Sequence, residues 1–366
     1  MDRLYEVALT MVPGVSSRIA RAVLSLYPSA EELFRLPSSE LKQLFAKRPS
    51  IAQAIKDATP LHQAEAELNF AVKHNIQVLY YTDEAFPQRL NRPDCDDCPV
   101  IIYYKGVADL NAPRAVGVVG TRMATEYGKS MVHHLLDDLR NESILVVSGL
   151  AYGIDSEAHR EALNCNLPTV AVVAHGLDTI YPSANRSLAA KMAQTSGGIL
   201  TEYPHGTEIR QGMFPARNRI IAALCDVVIV VEASVKGGAL ITANLAHGYH
   251  REILAVPGRH GDKYSEGCNR LIAANKAQLI TEGEDLMATM NWDRTNAKQS
   301  VQTSLQIDLS DNETMILKIL DENDTPHVDV IHAKCQLSWS DMVMTLLQLE
   351  LKGLCKALPG ARYKKM

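Results

Sequence analysis

The chain of 366 residues carries 37 Lys and Arg against 42 Asp and Glu, a formal net charge of -5. That balance excludes a protein that coats nucleic acid by overall charge, so any phosphate site must be a local patch. The length predicts two or three domains, and the lack of a signal peptide or a membrane-length apolar run predicts a cytoplasmic protein with no membrane partner.

Seven scattered cysteines, an odd number, predict reduced thiols. Cys95-Asp96-Asp97-Cys98 has zinc-knuckle spacing but no second pair, and a structural zinc needs four ligands. No metal or cofactor is expected.

Residues 1–75 read as a helical module. Met11-Val12-Pro13-Gly14-Val15, followed by Arg18 to Leu24, reads as a hairpin between helices, and Pro28-Ser29-Ala30-Glu31-Glu32 opens another helix. Such a hairpin can hold phosphate, as in helix-hairpin-helix or SAM-like modules. Sparse basic residues favour a packing role here. The whole stretch before Ala115 reads as helical.

Residues 76–290 read as an α/β domain with an extended Rossmann-like, doubly wound parallel sheet. Ala115 to Val119 is an apolar run of the kind that forms a buried parallel strand. Gly120, Thr121 and Arg122 end it, and a helical stripe of Met131, Leu135, Leu136 and Leu139 follows from Thr125 to Arg140. A turn there aims free backbone N–H groups and the positive end of a helix above the sheet, and Arg122 adds a full charge. No Gly-X-Gly-X-X-Gly occurs, and Ser148-Gly149 stands where a dinucleotide fold needs an acid. Gly128-Lys129-Ser130 lacks the glycine spacing of a P-loop.

The second strand, Ile144 to Val147, runs into Gly149 and a helix for which Asp155 is the expected N-cap, with His159 packing. Ser148, His159 and Asp155 are not expected to act as a hydrolase triad, since Gly-X-Ser-X-Gly is absent. Further strands are read at Thr169–Val173, Ile199–Tyr203, Asp226–Glu232 and Glu252–Val256. Between them lie a loop ending in Asn185, the segment Phe214-Pro215-Ala216-Arg217-Asn218-Arg219, and Lys236-Gly237-Gly238. In a doubly wound sheet the loops after the strands share one crevice. Gly120, Thr121, Arg122, Gly149, Asn185, Arg210, Phe214, Arg217, Asn218, Arg219 and Lys236 are therefore the expected nucleic-acid-binding set. Arg217 and Arg219 are two apart and cannot point the same way on a helix. Arg217 is expected to face the ligand and Arg219 to brace the turn.

Residues 291–309 are polar and read as a linker, and 310–366 read as a winged helix. Three helical patterns, at Glu313–Leu320, Val328–Ala333 and Trp339–Lys352, precede a hairpin bearing Lys356, Arg362, Lys364 and Lys365. Ser338 is the expected cap of the third helix. DNA contact and protein docking are both open to this unit.

The ordered strings Val-Gly-Thr-Arg, Ser-Gly-Leu-Ala-Tyr-Gly-Ile-Asp, Phe-Pro-Ala-Arg-Asn-Arg-Ile-Ile-Ala, Gly-Gly-Ala-Leu-Ile-Thr-Ala, Ala-Val-Pro-Gly and Gly-Cys-Asn resemble the DNA-processing protein A family, DprA, also called Smf. The resemblance covers the central half of the chain. It implies a dimeric domain that binds single-stranded DNA and hands it to the RecA recombinase in natural transformation. It also implies a variable N-terminal helical domain and, in many members, a small winged helix. Thr121 stands where the family usually has Ser, Tyr152 where a basic or small residue is common, and Gln211 where some relatives are basic, with Arg210 beside it.

The rival reading is a Rossmann-like nucleotide-binding or nucleotide-hydrolysing enzyme. Related hydrolases place a catalytic Glu where this chain has Asn244, which cannot exchange a proton as a carboxylate does. No enzyme activity is expected. A homodimer is expected through residues 267–286, with Leu271, Ile272, Leu279 and Ile280 as its apolar supply.

Overall fold

A computed structural model describes residues 3–27, 29–140, 142–293, 310–322, 325–335, 337–352, 354–358 and 360–365. Most of the expected linker, 294–309, lies outside them. The chain forms two compact units, Met1–Ala297 and Lys298–Met366.

The first unit opens with six helices, α1 (Leu4–Met11), α2 (Ser17–Leu26), α3 (Ala30–Arg35), α4 (Ser38–Leu44), α5 (Pro49–Lys56) and α6 (Thr59–Lys73). Two strands then precede Ala115, β1 (Gln77–Tyr80) and β2 (Ile101–Gly106), so the expectation of an all-helical N-terminal stretch is corrected. They pair antiparallel with each other, and β2 pairs antiparallel with the rest of the sheet. The helices do not form a separate core. Val7, Leu9, Leu33 and Ile51 pack in one cluster with Tyr80, Val100, Ile101 and Tyr103 of the sheet edge.

Strands and helices then alternate: β3 (Arg114–Val119), α7 (Glu126–Asp138), β4 (Ile144–Ser148), α8 (Ile154–Asn164), β5 (Thr169–Val172), α9 (Arg186–Gln194), β6 (Gly198–Thr201), α10 (Met213–Leu224), β7 (Val227–Val230), α11 (Gly238–Gly248), β8 (Glu252–Ala255), α12 (Glu266–Ala273), β9 (Gln278–Leu279) and α13 (Gly283–Thr289). The nine strands run in the order β1-β2-β6-β5-β4-β3-β7-β8-β9. From β6 to β9 every pairing is parallel. Such strands are buried on both faces, which is why they read as unbroken apolar runs. Ala115 and Val119 of β3 face a cluster with α10 and α11, whereas Val116 and Val118 face one with α7 and α8. Each fully buried Val or Leu contributes roughly 1.5–3 kcal/mol to this core.

Chain order reverses at β3. Strands β4 to β6 lie on one side and β7 to β9 on the other. The loops after β3 and β7 therefore part at their carboxyl ends and leave a crevice, as open α/β sheets do at such a switch point.

The second unit holds α14 (Asp311–Glu322), α15 (Val328–Cys335), α16 (Trp339–Leu351) and the antiparallel hairpin β10 (Cys355–Leu358) and β11 (Arg362–Lys365). Ser338 caps α16 by accepting from the Asp341 amide, as expected. Ile316, Ile331, Met342, Leu346 and Leu349 fill its core.

Candidate nucleic-acid interface

The crevice after β3 and β7 is a cavity of about 750 Å³. Gly120, Thr121 and Arg122 form one wall, Gly237 and Gly238 another, and Phe214, Arg217 and Asn218 of α10 the third. Thr125 caps α7 by accepting from the Gly128 amide, and its hydroxyl also donates to Glu232 at 2.6 Å. That pair ties the β3 loop to the end of β7. The N-terminus of α11 has no side-chain cap, so its orphan amides lie beside the cavity as partial positive charge.

Arg122 is exposed and in no ion pair among the described residues. Its guanidinium carbon lies 5.3 Å from the centroid of the Phe214 ring. Phe214 in turn lies 5.7 Å from Tyr181, at an interplanar angle of 44°. A cation over an aromatic face, with a second exposed ring beside it, presents charge for a phosphate and flat surfaces for a base. Tyr181, nine positions after β5 in the Leu-Asp, Tyr-Pro and Asn185 string that also resembles the family, was not among the expected binding residues.

Arg217 lines the cavity as its floor. It is only 4% exposed, and its Nη1 donates to the Val172 carbonyl while Nε has no partner. Burial depresses its pKa to about 10, against the attraction of Asp155. A Cβ on Gly149 would fall on this guanidinium, so glycine is needed there for the arginine to lie flat. Burial likewise pushes the Asp155 carboxyl above its ordinary range, opposed first by Arg217 and then by backbone hydrogen bonds from Ala151 and Gly149. Arg217 thus keeps its place on the cavity but is buried there, within the electrostatic reach of Asp155, where an exposed arginine was expected. Asp155 is not the cap of α8 either; Gly153, at φ 77°, takes that position.

Gly149 and four other expected residues lie off the cavity wall. Arg219 binds Glu202 with hydrogen bonds of 2.9 and 2.6 Å and reaches the Ser17 hydroxyl at 3.4 Å, so it braces the turn as expected. Asn185 is buried and donates to the Leu150 carbonyl at 2.9 Å, which holds Leu150 at φ 56°. It is a strut, contrary to the expected contact role. Arg210 pairs with Glu208 at 3.2 Å on an exposed loop, while its neighbours Ile209 and Gln211 line the cavity. Lys236 is exposed at the rim, next to the glycines that do line it.

A hydrolytic triad does not assemble. The Ser148 hydroxyl donates to Val118 O at 2.6 Å, and His159 Nδ1 lies 2.7 Å from Thr169 Oγ1. Burial drops the His159 pKa to about 3, which keeps the ring neutral in the core. Of the four apolar residues expected at a dimer interface, Leu271 and Ile280 are buried in the subunit core and Ile272 is half-buried. Leu279, on edge strand β9, is 48% exposed.

Residues 77–291 match the family model for DNA recombination-mediator protein A. The chain belongs to the DprA/Smf family. Residues 301–361 match the DprA winged helix domain. The chain is 35% identical over 326 residues to Protein Smf of Synechocystis, covering 80% of each, and 41% identical over 210 residues to DprA of Streptococcus pneumoniae, covering 57% of this chain and 73% of that one. The X-ray structure of the Streptococcus pneumoniae DprA superposes with a TM-score of 0.62 at 32% identity, over 78% of this chain and 97% of the other. A Helicobacter pylori DprA, described for its single-stranded DNA binding mode, superposes at 0.53 and 32% identity, over 60% of this chain and 97% of that one. Among the described residues no helix is long and apolar enough to cross a membrane.

Proposed function

We propose that this chain binds single-stranded DNA in the crevice after β3 and β7, and passes it to the RecA recombinase in the cytoplasm as a recombination mediator of natural transformation. The cluster of Arg122, Phe214 and Tyr181 at the cavity carries this proposal. Duplex bases are already stacked on one another, whereas a single strand can lay a base against Phe214 or Tyr181 while Arg122 meets the adjacent phosphate. Glycine turns and the uncapped end of α11 accept further phosphate oxygens.

The role needs no chemistry from the protein. Asp155 is buried and held by the Ala151 and Gly149 backbone, His159 is held neutral, and Asn244 replaces the acid that a related hydrolase would use. A homodimer is proposed through the β9 edge and Leu279, which would set two crevices on one strand.

The test is RecA filament growth on DNA precoated with single-strand-binding protein. The chain should shorten the lag before growth, and Arg122→Ala should not. Growth with the same lag in its presence and absence would overturn the mediator role, and steady release of phosphate or base from a nucleoside monophosphate would favour the enzyme.

A further inference from the structure

A second cation–aromatic pair stands on the same edge of the sheet. After β8 the chain runs through Pro257 to Ser265, and Lys263 Nζ lies 5.3 Å from the Tyr264 ring centroid. This loop borders a separate cavity of about 970 Å³, lined by Tyr127, Arg259, Lys263 and Tyr264. Ala233 joins the two cavities. It lines the first, donates its amide to Tyr264 O at 2.7 Å and accepts from the Gly267 amide at 2.9 Å.

The loop is fixed in place. The Asn269 side chain both accepts from the Gly258 amide and donates to its carbonyl, at 3.1 and 2.9 Å. Tyr127 donates its hydroxyl to Pro257 O at 2.6 Å, yet its ring stays 46% exposed.

Exposed cations on this edge outnumber the acids free to meet them. Some arginines elsewhere are paired, Arg3 with Asp83, Arg18 with Asp96, Arg89 with Asp226 and Arg219 with Glu202, whereas Arg48, Arg186 and Arg270 are exposed without one among the described residues. Arg122, Lys236, Arg259 and Lys263 are exposed and form no ion pair among the described residues. Of the acids lining the second cavity, Glu126 is held by Lys129 at 2.6 Å, and Glu232 is buried and accepts from the Thr125 amide and hydroxyl. Asp262 is left against two cations.

Resting on the function proposed above, we propose that the loop from Pro257 to Ser265 is a second station for the same single strand. DNA leaving the Arg122 and Phe214 site crosses the wall at Ala233. A later base then stacks on Tyr264 or Tyr127 while Lys263 and Arg259 neutralise its phosphates.

The test uses the full chain and fluorescent oligothymidylates of about 5 and about 20 nucleotides, one near the short end of typical single-strand sites and one beyond their long end. Arg259→Ala with Lys263→Ala should leave affinity for the short oligonucleotide within twofold of wild type. Affinity for the long one should fall about tenfold, with the slope of log affinity against log salt shallower by about 1.4. Tyr264→Leu should weaken only the long complex, and Tyr264→Trp should restore it. Unchanged affinity and slope for the long oligonucleotide would overturn the second station. So would an equal loss at both lengths, which would place the loop in the first site. Failure of the wild-type chain to bind either length would instead overturn the function on which the station rests.

Discussion

Arg219 and Glu202 are joined by two hydrogen bonds, at 2.9 and 2.6 Å, from the first turns of α10 to the residue after β6. Both side chains are about 15% exposed. The pair pins the helix whose N-terminal turn carries Phe214 over the cavity, without touching the cavity itself. Removing one partner of a largely buried pair leaves an uncompensated charge, at a cost of about 3 kcal/mol. Arg219→Ala should therefore lower the melting temperature in a thermal scan. Glu202→Gln should do so less, because an amide oxygen still accepts.

Arg217→Ala should also destabilise, and in a pH-dependent way. Burial already raises the Asp155 pKa, so the neutral form is the one that the fold favours. A raised acid contributes stability that is full below its unfolded value, about 3.9, and is lost as pH rises through the folded value. Without Arg217 that folded value climbs further. The melting deficit of Arg217→Ala against wild type should be large near neutral pH and shrink toward about pH 4. A deficit independent of pH would show that Asp155 does not depend on this arginine.

His159 has the opposite sign. Its folded pKa is depressed to about 3 by burial, so its contribution is present above the unfolded value of about 6.5 and drains away as pH falls toward 3. His159→Gln keeps a partner for Thr169 without a proton to gain. Acid unfolding followed by circular dichroism should be less steep between about pH 6.5 and 3 in this variant.

The sheet was legible in the sequence because its parallel strands are buried on both sides and show as continuous apolar runs, as in Thr169–Val172 or Val227–Val230. The antiparallel β1 and β2 were not. They lie beside six helices whose core they share, and no strand–helix alternation marks them. Within the site, spacing located the loops but not the side chains. Arg122 and Asn185 both follow strands, yet one is exposed over Phe214 and the other is turned inward to Leu150. Arg219's need for a brace was readable from helical geometry, whereas the identity of Glu202, 17 residues earlier, came only from the fold.

On the winged helix, α16 exposes Trp339, Val343, Met344 and Leu347. Its described residues include no Lys or Arg, and Lys352 at its end pairs with Glu313 at 2.7 Å. A helix without cations is poorly suited to phosphate. Leu347→Ser with Trp339→Ser should leave binding of both single-stranded and duplex oligonucleotides within twofold in a gel shift, as expected of a protein-facing surface.

The most direct test of the central claim is fluorescence anisotropy of the full chain with one oligonucleotide, single-stranded and as its duplex, at moderate salt. The single strand should bind at least about tenfold more tightly, and Arg122→Ala should weaken that binding and make its salt slope shallower by about 0.7. Arg18→Ala, which breaks only an exposed pair with Asp96, should not change it. Equal affinity for strand and duplex, or equal losses from the two substitutions in folded protein, would contradict the account.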